Sequence, residues 1–303
     1  MAAGDVRRDW VVLGVPTSAG AHHAGQDRAP AALRKAGLLG RLTSAGLTVT
    51  DAGDLAGSVF AVDHEPGVRV RNLAAVSRVA GEVAAAVAGQ VTAGHRPLVV
   101  GGDCTITLGV IAGFRLAGQD PRLAYVDGDA DLGALDPDGS GIADATGISQ
   151  LLGVGEPALT GLAGPAPLLE PDHLAMAGCD PREITAAGRQ FLAARGVSLT
   201  DGRQLTADPE GAAATVLGAL GGSAGPLVVH FDVDVVDSGD LPLGNFPHYG
   251  SGVTLTEAVR CLRVLLADPA CAALVLTEVN PGYDADGSQL DRYLTALTSA
   301  LAA

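Results

Sequence analysis

The sequence predicts an α/β fold built on a parallel sheet, and three observations carry that prediction. Short β-branched runs alternate with longer Ala/Leu-rich segments along the whole chain, the signature of strands joined by crossover helices. Each run is mostly apolar and brief, as strands covered on both faces tend to be. Charge and polarity then gather at the carboxyl ends of four runs, VVGGDCTIT, YVDGDADL, VVHFDVDVVDS and VLTEVNP, which is where parallel α/β sheets present their sites.

The elements follow in order. WVVLGV (10–15) is the first strand, and the segment 29–45 that begins APAALRKAGLL is the first helix. TVTDAGDL (48–55) is the second strand, followed by a helix over 69–93. RPLVVGG (96–102) and RLAYVDG (122–128) are strands separated by a helix over 104–117. A short helix at 146–153 precedes the strand LAMAGC (174–179), and a helix at 182–195 precedes VSLTDG (197–202). The helix 208–220 leads to PLVVHFDVD (226–234), the helix 254–266 leads to AALVLTEVNP (272–281), and 286–302 is the last helix. In each helical segment Ala and Leu supply propensity and apolar residues recur at three and four. No linker, repeat or low-complexity tract intervenes, so residues 1–303 read as one domain. The loops 132–145 and 235–252 are long and rich in Gly, Asp and Pro, and such loops commonly build binding sites.

Composition narrows the function. A chain of 303 residues that is 48% hydrophobic has ample material for a core. Its 34 acidic residues against 19 basic ones leave a net charge of -15 with no Lys/Arg cluster, which argues against nucleic acid and for a small cationic ligand. No apolar stretch reaches the roughly 20 residues of a membrane span, and MAAGDVRRDW lacks the apolar centre of a signal peptide. A cytoplasmic enzyme without a membrane partner is the expectation. Cys104, Cys179, Cys261 and Cys271 show no CxxC spacing, so neither a disulfide framework nor a zinc ribbon is expected.

Two segments place aspartates at alternate positions: Asp127, Asp129 and Asp131, then Asp232 and Asp234. On an extended backbone that spacing turns alternate side chains to one side, so each segment offers convergent oxygens. Carboxylates held that close raise one another's pKa unless a cation sits among them. Turn or capping aspartates would give the same letters, and a calcium loop also begins DxDxD but needs a later glutamate that is missing here.

These residues resemble the ureohydrolases, the family of arginase, agmatinase and formiminoglutamase. The resemblance runs from VLGVPTSAG with APAALRKAGLL, through LVVGGDCTITLG, VDGDADL and FDVDVVDS, to TEVNPGYD. It implies a three-layer α/β/α sandwich with a parallel sheet of about eight strands, a two-manganese site and hydrolysis of a guanidino or amidino C–N bond. It also implies a homo-oligomer, with trimers and hexamers common among similar proteins.

Carried over residue by residue, the family pattern GGDHS falls on Gly101 to Thr105, with Cys104 in place of a metal-binding histidine. DAHxD falls on Asp127 to Asp131, where Asp127 and Asp131 match and Asp129 replaces the second ligand histidine. Asp232 and Asp234 match as ligands, Asp237 matches too, and Ser238 replaces a proline. Glu278 matches the glutamate that holds the substrate's planar cation. In SGIADATGIS, Ser140 is retained, Asp144 replaces the histidine that relays protons, and Ile142 replaces an asparagine that reads a substrate carboxylate. Gly133 replaces another such asparagine. Asp180 in CDPRE resembles the residue that holds an α-amino group.

The implied ligand set is therefore Cys104, Asp127, Asp129, Asp131, Asp232 and Asp234, all negative if Cys104 is a thiolate. Such a surplus requires a proton, a basic neighbour or a cationic substrate. A thiolate also shifts preference from manganese toward iron, zinc or cobalt. Asp234 is expected to move a proton to the leaving amine, Glu278 to orient the cation, and Asp144 to act as shuttle if its pKa is raised. With two carboxylate-reading asparagines absent, a modified arginine such as N-hydroxyarginine is a candidate substrate. A non-catalytic binding or regulatory relative, or a hydrolase with altered metal and reaction, are the alternatives. His22, His23 and His248 lie in loops near the expected rim, and His248 is the one best placed to replace a lost histidine.

Overall fold

The computed structural model describes residues 9–62, 68–136 and 139–302. Residues 1–8, at the start of the chain, and positions 137 and 138 of the expected long loop lie outside the described residues.

Eight strands form one sheet: β1 (Trp10–Gly14), β2 (Val49–Asp54), β3 (Arg96–Val100), β4 (Arg122–Val126), β5 (Leu174–Ala177), β6 (Ser198–Thr200), β7 (Leu227–Asp232) and β8 (Cys271–Thr277). Their order is β2-β1-β3-β8-β7-β4-β5-β6, and every pairing between neighbours is parallel. Alternation along each strand divides the core in two. Leu227, Val229 and Phe231 of β7 join the layer built by helices 29–35, 38–44, 209–220, 255–267 and 288–301. Val228, with Leu123 and Tyr125 of β4, joins the layer built by helices 73–92, 106–116 and 147–151. Helices thus cover both faces, the three-layer sandwich that the resemblance implies.

The differences from the sequence reading are local. The segment 29–45 forms two helices, because Gly37 sits in the left-handed region at φ 92° and turns the chain between them. All eight predicted strands are shorter at their carboxyl ends; the four that lead into the acidic and polar tails, β3, β4, β7 and β8, stop at Val100, Val126, Asp232 and Thr277. These four are consecutive in the sheet order, so the tails that leave the sheet lie side by side.

Candidate active site

The acidic tails converge through turns rather than along extended backbone, which corrects the reasoning from alternate spacing. After Val126 the chain leaves the sheet, and Asp127 Oδ1 accepts the Asp129 N–H at 2.7 Å. Asp131 then adopts φ 46°. On the neighbouring strand Asp232 Oδ1 accepts the Asp234 N–H at 2.8 Å, and residues 233–235 form a single tight turn. These side-chain-to-backbone bonds fold each aspartate segment over the end of its own strand. Gly128 permits the close approach of the two segments: a Cβ there would stand 2.9 Å from the Asp234 carbonyl oxygen and 2.8 Å from His248 Nε2.

The deepest part of the site gathers around Cys104, which follows β3. Its Sγ donates to Asp232 Oδ2 at 2.6 Å and lies 3.9 Å from Asp127 Oδ2. Thr277, the last residue of β8, donates its hydroxyl to the same Asp232 oxygen at 2.9 Å. His230 completes the group. It precedes Asp232 by two residues on β7, is fully buried, and directs Nε2 to within 3.7 Å of Cys104 Sγ and 3.4 Å of Asp127 Oδ2. Its ring stacks on Tyr125 at 4.0 Å, and Nδ1 lies 2.8 Å from Thr107 Oγ1. Burial lowers the His230 pKa to about 3, so the imidazole is neutral at physiological pH. Burial, reinforced by the Asp232, Asp144 and Asp127 charges, pushes the Cys104 thiol well up.

Sequence reasoning missed His230. The rule that aligned Asp232 with Asp234 would have found it, since HFD also has spacing two and His230 truly lies on a strand.

Glu278 and Asp144 form the other wall. Glu278 follows β8 at φ 63° and is almost wholly buried. Its Oε2 accepts from Gln26 Nε2 at 2.9 Å, whereas Oε1 has no donor among the described residues unless a carboxyl proton supplies one. Asp144 Oδ1 accepts the Cys104 N–H at 2.6 Å. Burial raises both carboxyls well above the usual range, helped by the charges of Asp103 and Asp131 at Asp144 and of Asp144 and Asp232 at Glu278; the hydrogen bond the two share raises Glu278 and lowers Asp144.

The remaining predicted residues have separate partners. Asp131 Oδ2 accepts the Tyr125 hydroxyl at 2.5 Å, and Asp234 Oδ1 accepts the Gly128 N–H at 3.3 Å. Asp129 turns outward to His248 Nε2 at 3.2 Å. Ser140 and Ile142 of the long loop, with His22, His23 and Phe246, line the cavity of about 520 Å³ above the carboxylates. Asp180 does not line that cavity. Its carboxylate takes the Arg182 side chain at 2.5 Å, which lowers its pKa to about 2. Asp237 likewise faces outward, capping Gly239 and Gly250 N–H groups. Cys179, Cys261 and Cys271 are buried free thiols.

The donor set fits a divalent cation. Cys104, Asp127, His230 and Asp232 bring one ligand atom each to within 4.8 Å of one another, and a second group joins Cys104 to Asp144 and Glu278. Among the described residues, seven carboxylates and no Lys or Arg line the cavity, so positive charge there comes from an ion, protons or a ligand. Among the described residues no helix is long and apolar enough to cross a membrane.

Comparison with known proteins accords with this arrangement. The arginase from Bacillus caldovelox is 29% identical over 279 residues, spanning 90% of this chain and 91% of that protein. The arginase from Brevibacillus brevis is 28% identical and spans 98% of both. The solved structure of the Bacillus caldovelox arginase superposes with a TM-score of 0.86 at 26% identity, covering 97% of this chain and 98% of that one. The family model described as "Arginase family" matches residues 8–303. The chain belongs to the arginase family.

Proposed function

We propose that the protein is a metal-dependent hydrolase that cleaves a guanidino or amidino C–N bond in a small cationic substrate. One observation carries the reading: the buried Oε1 of Glu278, without a partner among the described residues, beside Asp144 in a cavity whose described lining holds seven carboxylates and no Lys or Arg. An acceptor held in that state lacks a donor, and burying it costs about 1–3 kcal/mol unless a ligand supplies one. A planar amidinium offers two N–H groups at once and satisfies both carboxylates. Gln26 fixes the other Glu278 oxygen, so the cation is oriented before any bond breaks.

Cys104, Asp127, His230 and Asp232 are the residues best placed to hold a divalent ion, with the family's implied ligands Asp129, Asp131 and Asp234 around them. When bound, such an ion makes a neighbouring water acidic enough to act as nucleophile near neutral pH. Asp234, which burial and the charges of Asp232 and Asp127 raise well above the ordinary range, is suited to take a proton and return it to the leaving amine. Asp144 can serve the same traffic from the Glu278 side. The seven carboxylates of the lining favour a cationic substrate, and the absence of the two carboxylate-reading asparagines argues against plain L-arginine. A modified arginine such as N-hydroxyarginine remains a candidate, with Ser140 at the rim as a polar contact.

The replacement of three family histidines by Cys104, Asp129 and Asp144 favours a second reading, a binding protein that retains the fold without turnover. Thermal-shift measurements test the shared premise. Guanidinium- and amidinium-bearing ligands raise the unfolding temperature of the metal-loaded chain, whereas isosteric neutral amides do not. Equal shifts from both classes would contradict the assignment of Glu278.

A further inference from the structure

The site holds a ligand set that the four retained aspartates do not explain. Its largest group of converging donors among the described residues is Cys104 Sγ, Asp127, His230 and Asp232, all buried and with ligand atoms within 4.8 Å of one another. Asp131 and Asp234 fall outside that group, one oxygen of each being engaged by Tyr125 and by the Gly128 N–H. Asp129 is drawn outward to His248. Deepening the metal-dependent reading above, on which it rests, we infer that Cys104, Asp127, His230 and Asp232 form a four-ligand site for one zinc-class ion in place of a manganese pair.

Geometry supports this directly. With usual bond lengths of about 2.0–2.3 Å, a tetrahedral centre spaces its ligand atoms roughly 3.3–3.6 Å apart. The pairs seen here are 3.7 Å for Cys104 Sγ to His230 Nε2, 3.4 Å for His230 Nε2 to Asp127 Oδ2 and 3.9 Å for Cys104 Sγ to Asp127 Oδ2. The Cys104–Asp232 contact is shorter, at 2.6 Å, and a cation bound between the two atoms separates them. His230 is also held as ligating histidines are. Its ring is clamped against Tyr125, and Nδ1 lies 2.8 Å from Thr107 Oγ1; in the tautomer that donates Nδ1–H to Thr107, the Nε2 lone pair faces the other three donors. The only other polar group near Nε2 among the described residues is the Thr277 hydroxyl at 3.4 Å, which is already directed at Asp232.

Donor chemistry selects the ion. One thiolate, one imidazole and two carboxylates suit zinc, iron(II) or cobalt(II) in tetrahedral geometry, whereas manganese prefers six oxygen-rich contacts. The lost histidine at position 104 is thus compensated from the next strand but one, by His230 on β7.

The test uses the full chain, stripped with a chelator and refilled separately with zinc, cobalt and manganese. The expected result by elemental analysis after gel filtration is one zinc or one cobalt per chain, with manganese bound at least tenfold more weakly. The cobalt form shows an intense thiolate-to-cobalt charge-transfer absorption that Cys104→Ser abolishes. Thr107→Val, which keeps the side-chain volume and the histidine, lowers zinc affinity roughly 10–100-fold, and His230→Gln lowers it further. Two manganese ions per chain, or zinc affinity indifferent to Thr107→Val and His230→Gln, would overturn the inference. So would a cobalt-loaded wild type without the thiolate band, a result that depends on no variant folding. Amidine hydrolysis is a separate readout: turnover with a manganese pair removes this inference and leaves the proposed function, while one thiolate-bound cobalt without turnover does the reverse.

Discussion

His248 Nε2 lies 3.2 Å from Asp129 Oδ2, and its Nδ1 lies 3.6 Å from Glu183 Oε2. Burial lowers the His248 pKa, but the Asp129 hydrogen bond and the charges of Asp129, Glu183 and Asp232 outweigh it, so the net shift is upward. In the metal-free protein Asp129→Asn removes the largest raising contribution, and the His248 ring resonances titrate at lower pH than in wild type. The sign for stability follows: a raised folded pKa gives stabilisation that is present below about 6.5 and lost as pH rises through the folded value. Wild type therefore loses more stability than Asp129→Asn across that window, as unfolding midpoints at paired pH values would report.

The buried carboxyls make an opposite demand on metal. Burial first, then the charges of neighbouring carboxylates such as Asp232, Asp131 and Asp103, raise Asp127, Asp144, Asp234 and Glu278. Groups raised in the folded state stabilise it below the ordinary carboxyl pKa of about 4 and progressively less as pH climbs toward the folded values. His230, lowered to about 3, works the other way between about 3 and 6.5 and contributes nothing further above that range. Chelator-stripped protein is thus expected to lose this stabilisation as pH climbs above about 4, a loss that His230 offsets only up to about 6.5. A divalent ion restores the loss, and calorimetry with and without metal reads both effects.

Helices 73–92 and 106–116 approach closely through two glycines. A Cβ at Gly109 would stand 2.5 Å from the Ala80 carbonyl oxygen and 2.7 Å from Val83 Cβ, and one at Gly113 would stand 2.7 Å from Val87 Cβ. Gly109→Ala should cost about 1–3 kcal/mol through overpacking, despite alanine's better helix propensity. The zinc or cobalt content of the folded fraction should not change, since this contact lies away from the site.

Gly128→Ala tests the approach of the two acidic segments. The added methyl would press on both His248 Nε2 and the Asp234 carbonyl, so catalytic efficiency falls at least roughly tenfold, the order expected from an ångström of misplacement near a reacting centre. Retained far-ultraviolet circular dichroism would separate this loss from unfolding.

Much of the fold was legible because each strand is a continuous apolar run, and the eight expected strands all occur. Their carboxyl ends were overextended because Asp127–Asp131 and Asp232–Asp234 read as alternating strand residues, whereas their own side chains cap backbone N–H groups and turn the chain. Helix 29–45 was read as unbroken because alanine and leucine flank Gly37, whose positive φ no propensity sum reports. Within the site, Cys104, Asp127, Asp144, Asp232 and Glu278 come together where the motifs suggested. His230 was hidden by its apolar neighbours, and the partner of Asp129 was found only in the distant loop at His248, a proximity that sequence spacing cannot encode. Asp180 was assigned from CDPRE without regard to Arg182 two residues on, which holds its carboxylate.

Glu278 is the sharpest test of the whole account. Hydrolysis of a panel of guanidino and amidino cations by the metal-loaded chain should release urea or its analogue. Glu278→Gln, which keeps the shape and removes the charge on the unpartnered oxygen, should lower kcat/KM by roughly 100-fold, equivalent to about 3 kcal/mol of a charge-assisted hydrogen bond. Release of product at equal kcat/KM by wild type and Glu278→Gln, or no release by a folded, metal-loaded wild type from any cation in the panel, would contradict the central claim.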